Sequence, residues 1–409
     1  MIVVQKFGGT CLETREKREM ACDRVLDAMH SGFSVCAVVS AMGRKGEPYA
    51  TDTFISLARG VCNDVASREL DLLVSCGEII SAVLMVQQLR SRGISAMALS
   101  GGQAGIITDT NFGEANIISI DPAHVKRHLD EGKVIVVAGF QGRAESGDIT
   151  TLGRGGSDTT ATALGAALDA AYVEIYTDVE GIMTADPRVV QNAKTIPLAT
   201  YDEVTQLAWE GAKVIHPRAV EIAHRAQTPV WIRSLKKDSR KTLLTGGEKQ
   251  DNPWLVLGNG RPVTGITYRS DLVQVVVEAR PEGSEKEEAR NAFPTAVFGC
   301  LKDISLDLIN VFPDRVSFVI PKERVQDARS RLKDLGLPAR VLESKAKVTV
   351  VGYGMHGRPG VMDTVIGALS KEKICVHASA DSNITIACLI DQDCLPRAVN
   401  ALHNAFHLS

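Results

Sequence analysis

The amino-acid sequence predicts an α/β protein: a doubly wound, mostly parallel sheet over residues 1–245, then two small α+β modules of βαββαβ type at 264–340 and 346–409. Three observations support this. Across the first 245 residues, short β-branched runs alternate with helical periods through glycine-rich joints, the pattern of strand–helix–strand crossovers. From Lys236 the texture changes to KKDSRKTLLTGGEKQDNPWLVLGNGRPVTG, rich in charge, Gly and Pro. Two later segments, starting at Thr264 and near Ala346, then share one element order at a spacing of about 80 residues.

The strands of the first region are read at 2–4, 34–40, 134–138, 172–176 and 230–232. Their near-continuous apolar character suits buried parallel strands. Helices are read between them at 15–30, 69–92, 122–131, 158–171 and 201–210, and right-handed crossovers would place them on both faces of the sheet. The polar stretch at 236–265 reads as a last strand plus a linker. Each C-terminal module reads strand, loop, helix, strand, strand, helix.

The bulk composition is that of an ordinary globular chain: 409 residues, 44% hydrophobic and 23% charged. Length favours two or three domains. A net charge of −3 argues against a nucleic-acid binder that relies on a strong positive field. No run of about 18 apolar residues marks a membrane span. MIVVQKFGG has too short an apolar run, followed by Lys6, to be a signal peptide, so a cytoplasmic location is expected. The nine cysteines show no CxxC pair and mostly sit in apolar runs, which suits buried, reduced thiols.

Five motifs carry the chemistry. KFGGT (Lys6 to Thr10) follows a strand; it is either an anion cradle with a neutralising lysine or a tight turn with an incidental one. SAMGRKGEPYATD (Ser40 to Asp52) follows another strand, where ligands of open α/β sheets bind. Ser40, Thr51 and Asp52 can hydrogen-bond there, or Thr51 can cap a helix. In LLVSCGEIISAVLM, Glu78 is a carboxylate within an apolar stretch, suited to orienting an amino group or to facing solvent. TLGRGGSDTTATALGAAL (Thr151 to Leu168) is the most informative, with a Gly-rich turn opening a helix at Ser157, Asp158 and Thr159, where free N–H groups favour an anion. Arg154 adds a fork suited to carboxylate or phosphate. YTDVEGIMTADPR and GAKVIHPR supply Asp178, Arg188 and Lys213, each alone equally a loop residue. Anion cradles, cations and carboxylates in one α/β domain suit phosphoryl transfer, which depends on positioning and charge stabilisation. GxxxxGK[ST], HRDxxxxN and DFG do not occur.

In this order, KFGGT, SAMG, the TD pair, CGE, GRGGSDTTA, TDVEG, TADPR and GAKVIHPR closely resemble the aspartokinases of the amino-acid kinase superfamily. The C-terminal modules resemble that family's paired ACT domains. SAMGRKGEPYATD, VVAGFQG and SADSNITI are most similar to the diaminopimelate-sensitive aspartokinases of spore-forming bacteria.

The resemblance implies transfer of the γ-phosphoryl of ATP to L-aspartate, with Mg²⁺ on the phosphates. Lys6 would stabilise the transferring group, organised by Asp158. Ser40, Thr51, Glu78, Arg154, Gly156 and Ser157 would hold aspartate, Arg154 on a carboxylate and Glu78 near the amino group. Lys6, Phe7, Gly8, Gly9, Thr177, Asp178, Met183, Arg188 and Lys213 would line the ATP site. A regulatory amino acid (diaminopimelate, lysine or threonine) would sit among Met355, Gly360, Val361, Asp381, Asn383 and Ile384, in a homodimer formed through the ACT modules.

The sequence departs from the family pattern at three places. Cys11 stands where many relatives have Ser, and Met183 where many have Tyr. ARPEGSEKEEARN replaces a Pro-Gly effector turn in the first module. GYGMHG (Gly352 to Gly357) matches the dinucleotide pattern GxGxxG, but too little chain follows for that fold. A kinase for another carboxylate or a nucleotide is the nearest rival reading, disfavoured by the tandem modules. A non-catalytic amino-acid sensor is the second, disfavoured by Lys6, Glu78, Arg154 and Asp158.

Overall fold

The computed structural model describes residues 1–212, 214–246, 262–279, 287–353, 355 and 358–409, with the side chains of 287–291 excepted. Lys213, most of the linker, residues 280–286 of ARPEGSEKEEARN and three positions of GYGMHG lie outside the described residues. The chain divides into two compact units, Met1–Ile182 with Thr195–Trp209 and Lys213–Asn259, and Met183–Lys194 with Glu210–Ala212 and Gly260–Ser409.

In the first unit the elements run β1 (Ile2–Phe7), α1 (Arg15–His30), β2 (Ser34–Val39), α2 (Thr51–Val61), α3 (Ser67–Ser91), β3 (Ala96–Leu99), β4 (Ile106–Thr108), β5 (Ile117–Ile120), α4 (Ala123–Asp130) and β6 (Val134–Ala138). They continue with β7 (Gln141–Ala144), β8 (Ile149–Thr151), α5 (Gly156–Ala167), β9 (Tyr172–Thr177), β10 (Leu198–Thr200), α6 (Tyr201–Trp209), α7 (Pro217–Ala226), β11 (Val230–Ser234) and β12 (Lys241–Thr245). Eight strands form the main sheet in the order β10-β12-β11-β9-β1-β2-β6-β3. Only the β11–β12 pair is antiparallel.

Strand β1 lies between β2 and β9, both parallel to it. The chain therefore reverses its winding direction at β1, which opens a crevice beyond the carboxyl ends of β1, β2 and β9. Alternation along β1 sends Val3 and Phe7 into the core formed with α1 and α3. Lys6 points to the other face, where α5 packs on β1, β2 and β9.

Several elements were not visible in the sequence: β3, α7 and the small sheet β5-β4-β7-β8, while the helix start read as one alternative at Thr51 is α2. The helix expected to reach residue 171 ends at Ala167. Asp169 takes a positive φ and Ala170 N–H closes back on Gly165 O, so the chain turns early into β9.

The second unit contains β13 (Gly265–Glu278), α8 (Glu287–Cys300), β14 (Asp307–Val311), β15 (Arg315–Pro321), α9 (Val325–Asp334), β16 (Ala339–Val351), α10 (Val361–Lys371), β17 (Ala378–Asp381), β18 (Thr385–Asp391) and α11 (Leu395–Ala405). One antiparallel sheet joins both modules, ordered β14-β15-β13-β16-β18-β17. The two long central strands are shared. Ile266 on β13 joins Val348 and Val350 on β16 in one core with α10 and α11. Val273, Val275 and Val277 further along β13 join a second core with α8, β15 and α9. A register shift near Arg269–Leu272 separates the halves.

Met183–Lys194 also belongs to this unit. Ile266 N–H donates to Thr184 O at 2.7 Å, Thr184 Oγ1 meets His403 Nε2 at 2.9 Å, and Asn400 Nδ2 donates to Val189 O at 3.0 Å.

Among the nine cysteines, all free, Cys11, Cys22, Cys36 and Cys388 are buried. Cys62, Cys76 and Cys375 are exposed, against the expectation of buried thiols. Cys62 caps the end of α2, and Cys76 turns to the outer side of α3, both places where an apolar neighbourhood in sequence does not translate into burial.

Candidate active site

The crevice beyond β1, β2 and β9 collects residues from several loops. Lys6 Nζ forms an ion pair with Asp158 Oδ1 at 2.7 Å, both side chains nearly buried. Asp158 lies in the first turn of α5, where an acid is favoured by the helix dipole. Its second oxygen accepts the His216 backbone N–H at 3.4 Å.

Helix α5 begins without a side-chain cap because Gly155, at φ 71°, precedes it in the left-handed region. The His216 ring packs within 2.3 Å of where a Cβ at Gly155 would lie, so only glycine serves both needs. Gly156 N–H donates to Gly153 O at 3.0 Å, and the uncapped turn at Ser157 and Asp158 leaves N–H groups for an anion. Arg154, just before it, is exposed and makes no ion pair or hydrogen bond among the described residues.

In KFGGT, Gly8 N–H donates to Tyr176 O at 3.2 Å, which ties the turn to β9 and takes that donor away from a ligand. Gly9 O accepts Gly43 N–H at 3.2 Å and ties the same turn to the loop after β2. Phe7 is fully buried and stacks on Tyr176 at 4.9 Å, so it positions the turn from behind. Ser40 N–H donates to Phe7 O at 3.1 Å, completing the strand end. Cys11 is buried, and burial pushes its thiol up to about 11, which makes it an inert packing residue.

Glu78 is 3% exposed on α3. One oxygen accepts Ala41 N–H at 2.9 Å, and the other has no partner among the described residues. Burial pushes the carboxyl up to about 8. The preceding Gly77 explains the motif: a Cβ there would lie 2.8 Å from Ala41 Cβ and 3.1 Å from Tyr49 O. Its absence lets α3 approach the loop closely enough for Glu78 to reach Ala41. Thr51 opens α2 as its first residue, and the capping position belongs to Ala50.

Thr177 Oγ1 donates to Asp178 at 3.2 Å, and Arg44 pairs with Asp178 at 2.6 Å. That exposed pair joins the loops after β2 and β9 across the crevice. Two contributors were missed in the sequence. Asp71, 2% exposed, accepts Thr151 N–H and Oγ1–H at 2.7 Å each and Gly113 N–H at 3.0 Å. His216, whose imidazole burial disfavours in the charged form, holds Asp158. Asp71 sits seven residues before Glu78, the helical spacing that places both on one face of α3, and that spacing was the available signal.

The Amino acid kinase family model matches residues 1–234 and an ACT domain model matches residues 348–406. Aspartokinase 1 of Bacillus subtilis (strain 168) is 43% identical over 410 residues, covering 100% of this chain and 99% of that protein.

The chain belongs to the aspartokinase family.

The aspartokinase of Geobacillus stearothermophilus is 39% identical and likewise spans the full chain, covering 98% of that protein. The crystal structure of E. coli aspartokinase III in complex with aspartate and ADP superposes with a TM-score of 0.79 at 27% identity, covering 99% of each chain. The expectations of a kinase enzyme and of a parallel α/β domain followed by an ACT domain are thereby established. Among the remaining family positions, Met183 and Arg188 cluster with the second unit. The Arg188 guanidinium is bound by Asp186, which also accepts Tyr268 O–H at 3.0 Å. In the C-terminal module, Met355 and Val361 are buried in one core, and Gly360 precedes α10 at φ 87°. Gly352 N–H donates to Ile384 O at 3.0 Å, while Asp381 and Asn383 are exposed. No helix among the described residues is long and apolar enough to cross a membrane.

Proposed function

We propose that this aspartokinase-family enzyme transfers the γ-phosphoryl of ATP to the β-carboxylate of L-aspartate, giving 4-phospho-L-aspartate and ADP. The observation that carries the reading is the buried Glu78, whose free oxygen has no partner among the described residues. A buried carboxylate in that state suits an incoming ammonium group, the mark of an amino-acid substrate. Arg154, unengaged at the edge of the same crevice, suits the substrate carboxylate. Ser40, Thr51, Gly156 and Ser157 complete the aspartate side.

The nucleophile is the aspartate carboxylate, already ionised at neutral pH, so no general base is needed. Its oxygen bonds to the γ-phosphorus as the bond to the bridging oxygen breaks, and ADP leaves with that electron pair. Lys6 offsets the charge on the transferring group, held in place by Asp158. Gly9 N–H and the start of α5 face the phosphates, and Thr177 and Asp178 hold the nucleotide. Mg²⁺ bound with ATP would neutralise phosphate charge. That ion would be held mainly by the phosphates and water, with few direct protein ligands.

The product would feed synthesis of diaminopimelate and lysine, threonine and methionine in the cytoplasm. A pathway amino acid (diaminopimelate, lysine or threonine) would bind around Met355, Gly360, Val361, Asp381, Asn383 and Ile384 in a dimer formed by the ACT modules. The lysine and aspartate complex of E. coli aspartokinase III supports this regulation. Inhibition requires tighter binding to the less active state.

The test is incubation with Mg-ATP, L-aspartate and hydroxylamine. Aspartyl hydroxamate that requires L-aspartate and vanishes in Lys6→Ala supports the reading; its absence from folded, ATP-binding protein overturns the substrate assignment.

A further inference from the structure

We propose that His124, half-buried, and His128, buried, form a chelate for a late first-row divalent cation, Zn²⁺, Ni²⁺ or Cu²⁺. Both lie on α4, four residues apart and therefore on one helix face. Their Nε2 atoms are 3.2 Å apart. The other nitrogen of each ring fixes what these atoms are. His124 Nδ1 faces Gln103 O at 3.1 Å, an acceptor with no proton to give, so the proton is on Nδ1. His128 Nδ1 faces the Glu131 carboxylate at 2.9 Å and carries its proton for the same reason.

The two Nε2 atoms therefore meet at hydrogen-bond distance. A proton held between the two nitrogens satisfies this contact, and a divalent cation bound to both in its place would do so as well. With metal–nitrogen bonds of about 2.0–2.1 Å, a 3.2 Å separation corresponds to a bite angle of about 100°, between cis square-planar and tetrahedral. The Nδ1 partners are those of known imidazole sites, one backbone carbonyl and one carboxylate, which fix the tautomer and raise ligand basicity. Lys133 holds that carboxylate at 2.6 Å and approaches His128 Nδ1 only at 3.4 Å.

Two features set the character of the site. No further His, Cys, Asp or Glu among the described residues joins the pair, so water would fill the remaining positions and the ion would exchange readily. Arg127 lies 3.3 Å from His128 Nε2, a contact in which the guanidinium can only donate. Being exposed, this arginine can swing out, but it competes with the metal and repels it. Since Gln103 belongs to the turn before β4, a bound ion would also secure α4 against that turn.

The test is Cu²⁺ titration of the full chain in thiol-free buffer, followed by electron paramagnetic resonance, with Zn²⁺-dependent melting as a second readout. Exposed Cys62, Cys76 and Cys375 also bind such ions, so the differences between variants decide. The expected result is one Cu²⁺ per chain with two nitrogen ligands, lost in His124→Ala, tightened several-fold in Arg127→Ala, and weakened about 10-fold or more in Glu131→Ala. Zn²⁺ should raise the melting temperature of the parent chain but not of His124→Ala. His124→Ala variants that keep the two-nitrogen signal, or an Arg127→Ala change that leaves affinity unaltered, would overturn the proposal. So would a proton shared between the rings that excess Zn²⁺ fails to displace.

Discussion

Asp71 accepts both the backbone N–H and the hydroxyl of Thr151, each at 2.7 Å, from a position with almost no solvent exposure. Thr151 begins the turn that carries Arg154, and Asp71 shares a face of α3 with Glu78. One rigid helix therefore sets the spacing between the two groups assigned to aspartate. Asp71→Ala should cost about 1–3 kcal/mol, because it leaves a buried N–H without an acceptor. It should also raise the KM for aspartate more than it lowers kcat. Urea denaturation and steady-state kinetics on the same preparation check both parts.

Glu78 gives a pH dependence with a definite sign. Its carboxyl is pushed up to about 8 in the fold, above the ordinary carboxylate value, by burial. The folded state therefore holds a proton that the unfolded state releases, and stability falls as pH rises between the two values. Glu78→Gln should abolish that slope and melt higher than the parent at pH 9. In kinetics, an ionised Glu78 is needed to receive the substrate ammonium, so aspartate KM should rise as pH drops below about 8. A parent KM that is flat over pH 6–8 would contradict this role.

Lys6 sits 2.7 Å from Asp158 and faces the uncapped end of α5. Lys6→Ala should lower kcat by about 10²–10³-fold with little change in aspartate KM, the signature of charge stabilisation in the transition state. Asp158→Asn should lower kcat less, since the lysine charge remains and only its placement loosens. Single-turnover measurements with saturating ATP separate the two.

In the second unit, Lys347 is 2% exposed and pairs with Glu210 at 2.7 Å and with Asp307. Glu210 also accepts Thr349 O–H at 3.1 Å. Lys347→Met takes the cation from Glu210, leaves Asp307 only Arg269 at 3.9 Å, and should cost about 2 kcal/mol, less than a fully buried pair because Asp307 is partly exposed. Adding Glu210→Gln and Asp307→Asn should recover part of the loss. Chemical denaturation of the three variants gives the comparison.

Much of the first unit was readable in order along the chain. The 15–30 helix, the 134–138 strand and the strand ends carrying KFGGT, SAMG and TDVEG lie where periodicity and glycine placed them. Those signals are local: apolar runs make buried parallel strands, and glycines mark where backbone must turn or approach closely. The small sheet β5-β4-β7-β8 escaped because its strands are three or four residues long and part-polar, too short for alternation to register.

The sequence by itself determined the fold class, the family and the order of the chemistry-bearing motifs, since each is written in neighbouring residues. Tertiary structure decided the rest. It placed Asp158 against Lys6 across more than 150 positions and left one Glu78 oxygen without a partner among the described residues. It moved Met183–Lys194 and Glu210–Ala212 into the second unit and divided β13 and β16 between two cores. These outcomes depend on which side chains meet after the strands register and the helices pack, and that competition among distant partners has no local signature in the chain.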